Sequence, residues 1–152
     1  MKRAWIVSLV VCGSLTAAPA RADDVKVTVV AILATERNAT VDEKVKCIAD
    51  EVKKLYPNLT GFRQAETITK NLSVGKNDTF KLVDAEVATV TVDEATDQEG
   101  KVRLTIKPPQ VGQISYSTCC GKCFPIITGY KTKAGDLLII AVMVKPCPVK
   151  KN

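Results

Sequence analysis

Cys119, Cys120 and Cys123 stand in one short run, Cys119-Cys120-Gly121-Lys122-Cys123, and no other cluster in the chain carries side chains of comparable reactivity. The thiolate is the form of cysteine that attacks disulfides and binds metals. Three chemistries compete for the run. The first is thiol–disulfide exchange through Cys120 and Cys123. It wants the first thiol at a helix N-terminus, where free N–H groups and the dipole stabilise the thiolate. Phe124-Pro125-Ile126-Ile127 follows instead, which reads as strand. The second is a soft-metal site for Cu(I) or Zn²⁺, built from Cys119, Cys120 and Cys123 with Cys147 as a further ligand. Structural zinc usually shows two separated ligand pairs, and this chain has no second C-x-x-C and no histidine. The third is structural, and it leads because the others lack their context. Gly121-Lys122 suits a two-residue hairpin turn. Cys120 then faces Cys123, Thr118 faces Pro125 and Tyr116 faces Ile127, which leaves one face apolar.

Cys47 and Cys147 are the remaining disulfide candidates once the N-terminal segment is set aside. Cys47 lies about 120° off the apolar stripe of its helix, at 100° per residue. It is exposed there or ties the helix to a neighbour. A bond from Cys47 to Cys147 closes a loop of about 100 residues and stabilises by roughly 4–5 kcal/mol. A bond from Cys147 to a hairpin cysteine competes with it, because connectivity does not follow from spacing. Five cysteines is an odd number. One thiol stays free or links two chains into a dimer.

The elements that position these cysteines follow from periodicity. Residues 25–34 (VKVTVVAILA) are apolar and β-branched, as in a buried strand. Val41, Val45, Ile48, Val52 and Leu55 recur at helical spacing and predict a helix over residues 41–55. Thr40 and Glu43 read as its capping box, and Pro57-Asn58 as its stop. Residues 62–74, 80–82, 88–92 and 102–106 alternate in the manner of strands with one wet face. Another strand starts at Ile114. Residues 137–144 (LLIIAVMV) are apolar on both faces, which predicts a central strand. The expected fold is an α+β domain: one amphipathic helix packed on a mostly antiparallel, curled sheet or sandwich of six to seven strands.

Lys2 and Arg3, the apolar residues 5–15 and Ala20-Arg21-Ala22 have the layout of a secretory signal peptide, residues 1–22, cleaved after Ala22. The apolar core is short for a membrane anchor. Cys12 follows Val11, which is not the small residue a lipoprotein site wants. Residues 23–152 then form a single domain in a secreted or periplasmic setting, with no membrane span. Cleavage lowers Lys+Arg from 22 to 19 against 16 acids, a net charge of +3 rather than +6.

Several function classes drop out. The chain has no histidine, which excludes His-based acid–base, triad and His-ligated metal chemistry. Lysines are scattered apart from Lys145 and Lys150-Lys151, so there is no basic stripe with stacking aromatics for nucleic acid. Asp42-Glu43 and Asp50-Glu51 read as solvated helix face. Asp93, Glu94, Asp97 and Glu99 lack the spacing of a calcium loop. Asn38, Asn58, Asn71 and Asn77 begin N-x-S/T triplets, which are glycan acceptors only in a glycosylating host. Neither a Gly-rich phosphate loop nor a G-x-S-x-G motif is present. The expectation is a non-enzymatic binding or scaffold domain without a cofactor, stabilised by disulfides. Its partner is an extracytoplasmic protein or surface ligand. The alternative is a thiol-redox or soft-metal protein using the cysteine run.

Overall fold

Strands with two apolar faces need cover on both sides, and that requirement organises the protein. A computed structural model describes residues 24–95, 99–119 and 122–145. Eight strands form two antiparallel four-stranded sheets. The first sheet has the order β2-β1-β8-β7, from Gly61–Ser73, Asp24–Thr35, Leu137–Lys145 and Phe124–Lys131. The second has the order β3-β4-β5-β6, from Asn77–Lys81, Val87–Glu94, Val102–Lys107 and Ile114–Thr118. Among the described residues a single α-helix, α1, spans Lys46–Leu55.

The sheets share a core. Val27, Val29, Leu138, Ile140 and Val142 of β1 and β8 meet Phe80, Val90, Leu104 and Ile106 of the second sheet. The other face of β1 and β8 carries Val30, Ile32, Ile139 and Ala141, which pack beneath Val45, Ile48, Ala49 and Val52. The doubly apolar β1 and β8 are therefore the two central strands of the first sheet, as expected for residues 137–144, and β1 is buried as expected for residues 25–34. β4 and β5 alternate because only their inner face is covered: Ala88, Val90, Val92, Val102, Leu104 and Ile106 are buried.

This arrangement corrects the expected α+β class. The protein is mostly β and sandwich-like, with eight strands and one short helical cover. Two connections explain the difference. The chain changes sheets between β2 and β3 and again between β6 and β7. Alternation within each strand is the same whether the next strand pairs with it or faces it, so periodicity does not register the switch.

The helix start is corrected too. Asp42, not Thr40, is the cap: its side chain accepts from Lys44 N–H at 3.1 Å, and a short 3₁₀ turn, Glu43–Val45, precedes α1. Val41 instead forms an isolated parallel bridge with Phe62. Leu55, assigned to the apolar stripe, is 76% exposed. The segment read as a signal peptide lies outside the described residues. Among the described residues, no helix is long and apolar enough to cross a membrane.

Candidate functional site

The strands expected to pair on either side of Gly121-Lys122 do not pair with each other, and Cys120 and Gly121 themselves lie outside the described residues. β6 pairs with β5 and β7 pairs with β8, so Cys119 follows a strand of the second sheet and Cys123 precedes a strand of the first. Lys122 N–H reaches Cys119 C=O across 3.4 Å. Tyr116 and Phe124 meet from opposite sheets as a stacked pair, ring centroids 4.5 Å apart, where the expectation paired Tyr116 with Ile127. Cys119 and Cys123 are half-buried and Cys47 is exposed, all as free thiols. Burial, with the charge of Cys47 as a smaller contribution, pushes the Cys123 thiol up. That direction disfavours the thiolate a redox nucleophile needs. Cys120 and Cys147 lie outside the described residues. Among the described residues, no group of three His, Cys, Asp or Glu side chains is placed to hold a metal ion. The acidic pairs serve the helix: Asp42 caps it, and Glu51 bonds Lys54 at 2.6 Å. Asp93 and Glu94 end β4, whereas Asp97 is outside the described residues.

A different site lies at the other end of β7. Three connections converge there: β1 to α1, α1 to β2 and β7 to β8. Two adjoining cavities of about 510 and 460 Å³ open between them, and Thr35 and Arg37 line both. The larger is walled by Leu55, Tyr56, Leu59 and Leu137, with Lys131 beside them. The smaller holds Arg37, Arg63, Asp42 and Asp136. Tyr56 is 45% exposed, so Leu55 and Tyr56 present apolar surface to an open groove.

Asp136 anchors the polar half. It is buried, and its carboxylate bonds the guanidinium of Arg37. Arg63 Nη2 lies 3.6 Å from the second oxygen. Burial alone pushes this carboxyl up. Hydrogen bonds from Arg37 and Thr35 and the charges of Arg37 and Arg63 outweigh it, so the pKa settles below the usual carboxylate range. Arg37 Nε also donates to Thr35 Oγ1 at 3.2 Å. These bonds fix the guanidinium, yet the Arg37 side chain stays 61% exposed. Thr35 and Asp136 take two of its five donors, and Arg37 lines both cavities.

The backbone around the site is close-fitted. A Cβ on Gly61 would sit 2.2 Å from Asn38 Oδ1 and 2.8 Å from Thr35 Cγ2. Asn38 Oδ1 accepts from Thr40 N–H at 3.1 Å, and Thr60 N–H donates to Thr35 C=O at 3.0 Å. Only glycine lets β2 pass this close beneath the loop. Thr132 C=O accepts from Gly135 N–H at 2.8 Å, and Gly135 has φ +85°, which turns the chain into Asp136. All four triplet asparagines are exposed, and Asn58 lines the larger cavity.

Sequence reasoning missed this site. Arg37, Arg63 and Asp136 share no motif and come from three distant segments. The available signal was weak: Leu55-Tyr56 immediately before Pro57 places apolar side chains at a helix end, where the stripe has no partner. No family model, curated protein or solved structure matches the chain. The class is therefore given by architecture alone: a two-sheet, sandwich-like β domain with one helix over an outer face.

Proposed function

We propose that the protein is a non-enzymatic binding domain, exported and freed of residues 1–22, that holds a small amphipathic anion in the cleft beside α1. The apolar body lies against Leu55, Tyr56, Leu59 and Leu137. The anionic end meets Arg37 and Arg63. One observation carries the reading: Arg37 is fixed by Asp136 and Thr35 yet exposed where two cavities join. A pre-positioned guanidinium loses little freedom when it binds a carboxylate, phosphate or sulfonate. The buried acid of the cleft supports binding over catalysis. Asp136 is held below the usual carboxylate range and occupied by arginine, so it is a fixed anion rather than a proton carrier. The thiol-redox alternative gains nothing from a raised Cys123.

The test is a titration of the isotope-labelled mature chain with decanoate and, separately, decanol, followed by amide chemical shifts. Decanoate is expected to shift residues 34–37, 55–59 and 131–137, and decanol to bind at least about tenfold more weakly for lack of an anionic end. Tyr56→Ala is expected to weaken decanoate by about fivefold or more. Absence of shifts at these residues, or equal affinity for the alcohol, overturns the reading. Export is checked by cell fractionation and by N-terminal sequencing, which should begin at Asp23.

A further inference from the structure

We propose that β6 is a docking edge for a second copy of this chain. The two strands pair antiparallel about a two-fold axis at Tyr116 and join the second sheets of the two copies into one. A strand at the end of a sheet offers a row of unpaired N–H and C=O groups, and proteins guard such edges with charges, prolines, bulges or cover. Among the described residues the edge strands are β2, β7, β3 and β6. The first three are guarded. β2 carries Arg63, Glu66 and Lys70, and its start is bonded by the chain before α1, with Asp42 N–H to Phe62 C=O and Phe62 N–H to Thr40 C=O both at 2.9 Å. β3 carries Asp78 and Lys81. β7 carries Pro125 and a break in register between Ile127 and Lys131. β6 is Ile114-Ser115-Tyr116-Ser117-Thr118, with no charge, no proline and an unbroken register against β5. Among the described residues β5 is its only strand partner.

The core is also unsealed on that side. Where β2 and β3 lie side by side, Leu72, Phe80 and Leu82 are buried. Along β6 and β7, by contrast, Ile114, Tyr116 and Tyr130 are only half-buried against the same core, and Phe124 is 43% exposed. Large apolar side chains left half-covered beside an unguarded edge mark a contact surface. The strand's own sequence says which partner fits. It is nearly palindromic about Tyr116, with a serine on either side and then a β-branched residue. In an antiparallel pair centred there, Tyr116 meets its own copy, Ser115 meets Ser117 and Ile114 meets Thr118. The two-residue period keeps Ile114, Tyr116 and Thr118 of both copies on the core face and the exposed serines on the wet face. No charge meets a like charge across the pair. The same patch serves both copies, as a closed two-fold contact requires.

The experiment uses the full mature chain, kept in reductant so that no disulfide links two copies. Sedimentation equilibrium over rising concentration measures association, and amide hydrogen exchange at both ends of that range locates it. A single strand pair is a small interface, so the expected dissociation constant is on the order of 100 μM. Amides within residues 114–118 are expected to exchange more slowly as the dimer fills. Ser115→Lys combined with Ser117→Lys sets lysine against lysine across the axis and is expected to weaken the dimer at least about tenfold. Ser115→Lys combined with Ser117→Glu sets lysine against glutamate and is expected to bring affinity back to within about threefold of the parent. A chain that stays monomeric to about 1 mM, a dimer protected at another edge or at the cleft, or a dimer indifferent to the sign of charge at position 117 overturns the proposal. Sedimentation and exchange on the unsubstituted chain decide the matter even if a variant folds poorly. Their outcome is independent of whether the cleft binds an anion.

Discussion

β7 joins two regions built on opposite principles. At its Lys131 end the cleft is held by polar groups that satisfy one another: Asp136, Arg37, Arg63 and Thr35. At its Phe124 end the crossover is held by ring stacking and apolar packing, with thiols beside them. The polar end has directional bonds and so fixes where a guanidinium points. The apolar end, among the described residues, rests on ring stacking and side-chain packing rather than on an ion pair. A binding seat belongs at the first kind of end.

The largest expected loss comes from disturbing the close fit under the cleft. Gly61→Ala puts a carbon into Asn38 Oδ1 and Thr35 Cγ2. The neighbouring loop must move, at a cost of about 1–3 kcal/mol by the usual penalty for overpacking. Urea unfolding measures that loss. If the cleft is as rigid as its bonds imply, the same variant also loses decanoate affinity. Unchanged stability would mean that the loop yields freely and that the polar end is no stiffer than the crossover.

Asp136→Asn comes next, at about 2 kcal/mol, the order of a lost hydrogen bond to a charged group; exposure of both arginines keeps it from reaching the cost of a buried pair. The pH dependence has a definite sign. The folded pKa of Asp136 lies below the ordinary value of about 3.9, so its stabilisation is fully present above that value and fades as pH falls through the folded pKa. Stability of the parent chain should therefore drop more steeply below about pH 4 than that of the Asn variant. Equal acid sensitivity in the two proteins would place the anchoring elsewhere than Asp136.

The two ends also differ in how much of them the sequence makes legible. β1 and β8 are readable because apolar residues on both strand faces have one explanation, cover on both sides. Val45, Ile48 and Val52 are readable by helical spacing, while Leu55 at the same spacing faces open cleft because the helix ends beyond the sheet's cover. The Thr40 cap misleads since Asp42 offers the same chemistry two residues later, after Val41 has been taken by a bridge to Phe62. The crossover misleads for a deeper reason: the alternation on either side of the cysteine run suits hairpin strands, but Tyr116 meets Phe124 by stacking between sheets rather than Ile127 across a hairpin. Arg37, Arg63 and Asp136 are illegible because ion pairs across long sequence separation leave no local pattern. The fold's apolar skeleton was thus open to reading, and the polar site was not.

The smallest expected effect has the opposite sign and belongs to the apolar end. Tyr116 faces the region between the sheets, and its hydroxyl is buried with no hydrogen-bond partner among the described residues. Burial, with the charge of Cys123 adding to it, pushes the phenol well above its usual range, so it stays protonated as an unused donor. An unsatisfied buried hydroxyl costs desolvation that no bond returns, whereas the ring itself is needed against Phe124. Tyr116→Phe keeps the ring and deletes the orphan oxygen. It should raise stability by about 1 kcal/mol, seen as a higher urea midpoint at unchanged slope. A loss of stability instead would mean that the hydroxyl has a partner in solution, and that the Phe124 end contains a polar contact of its own.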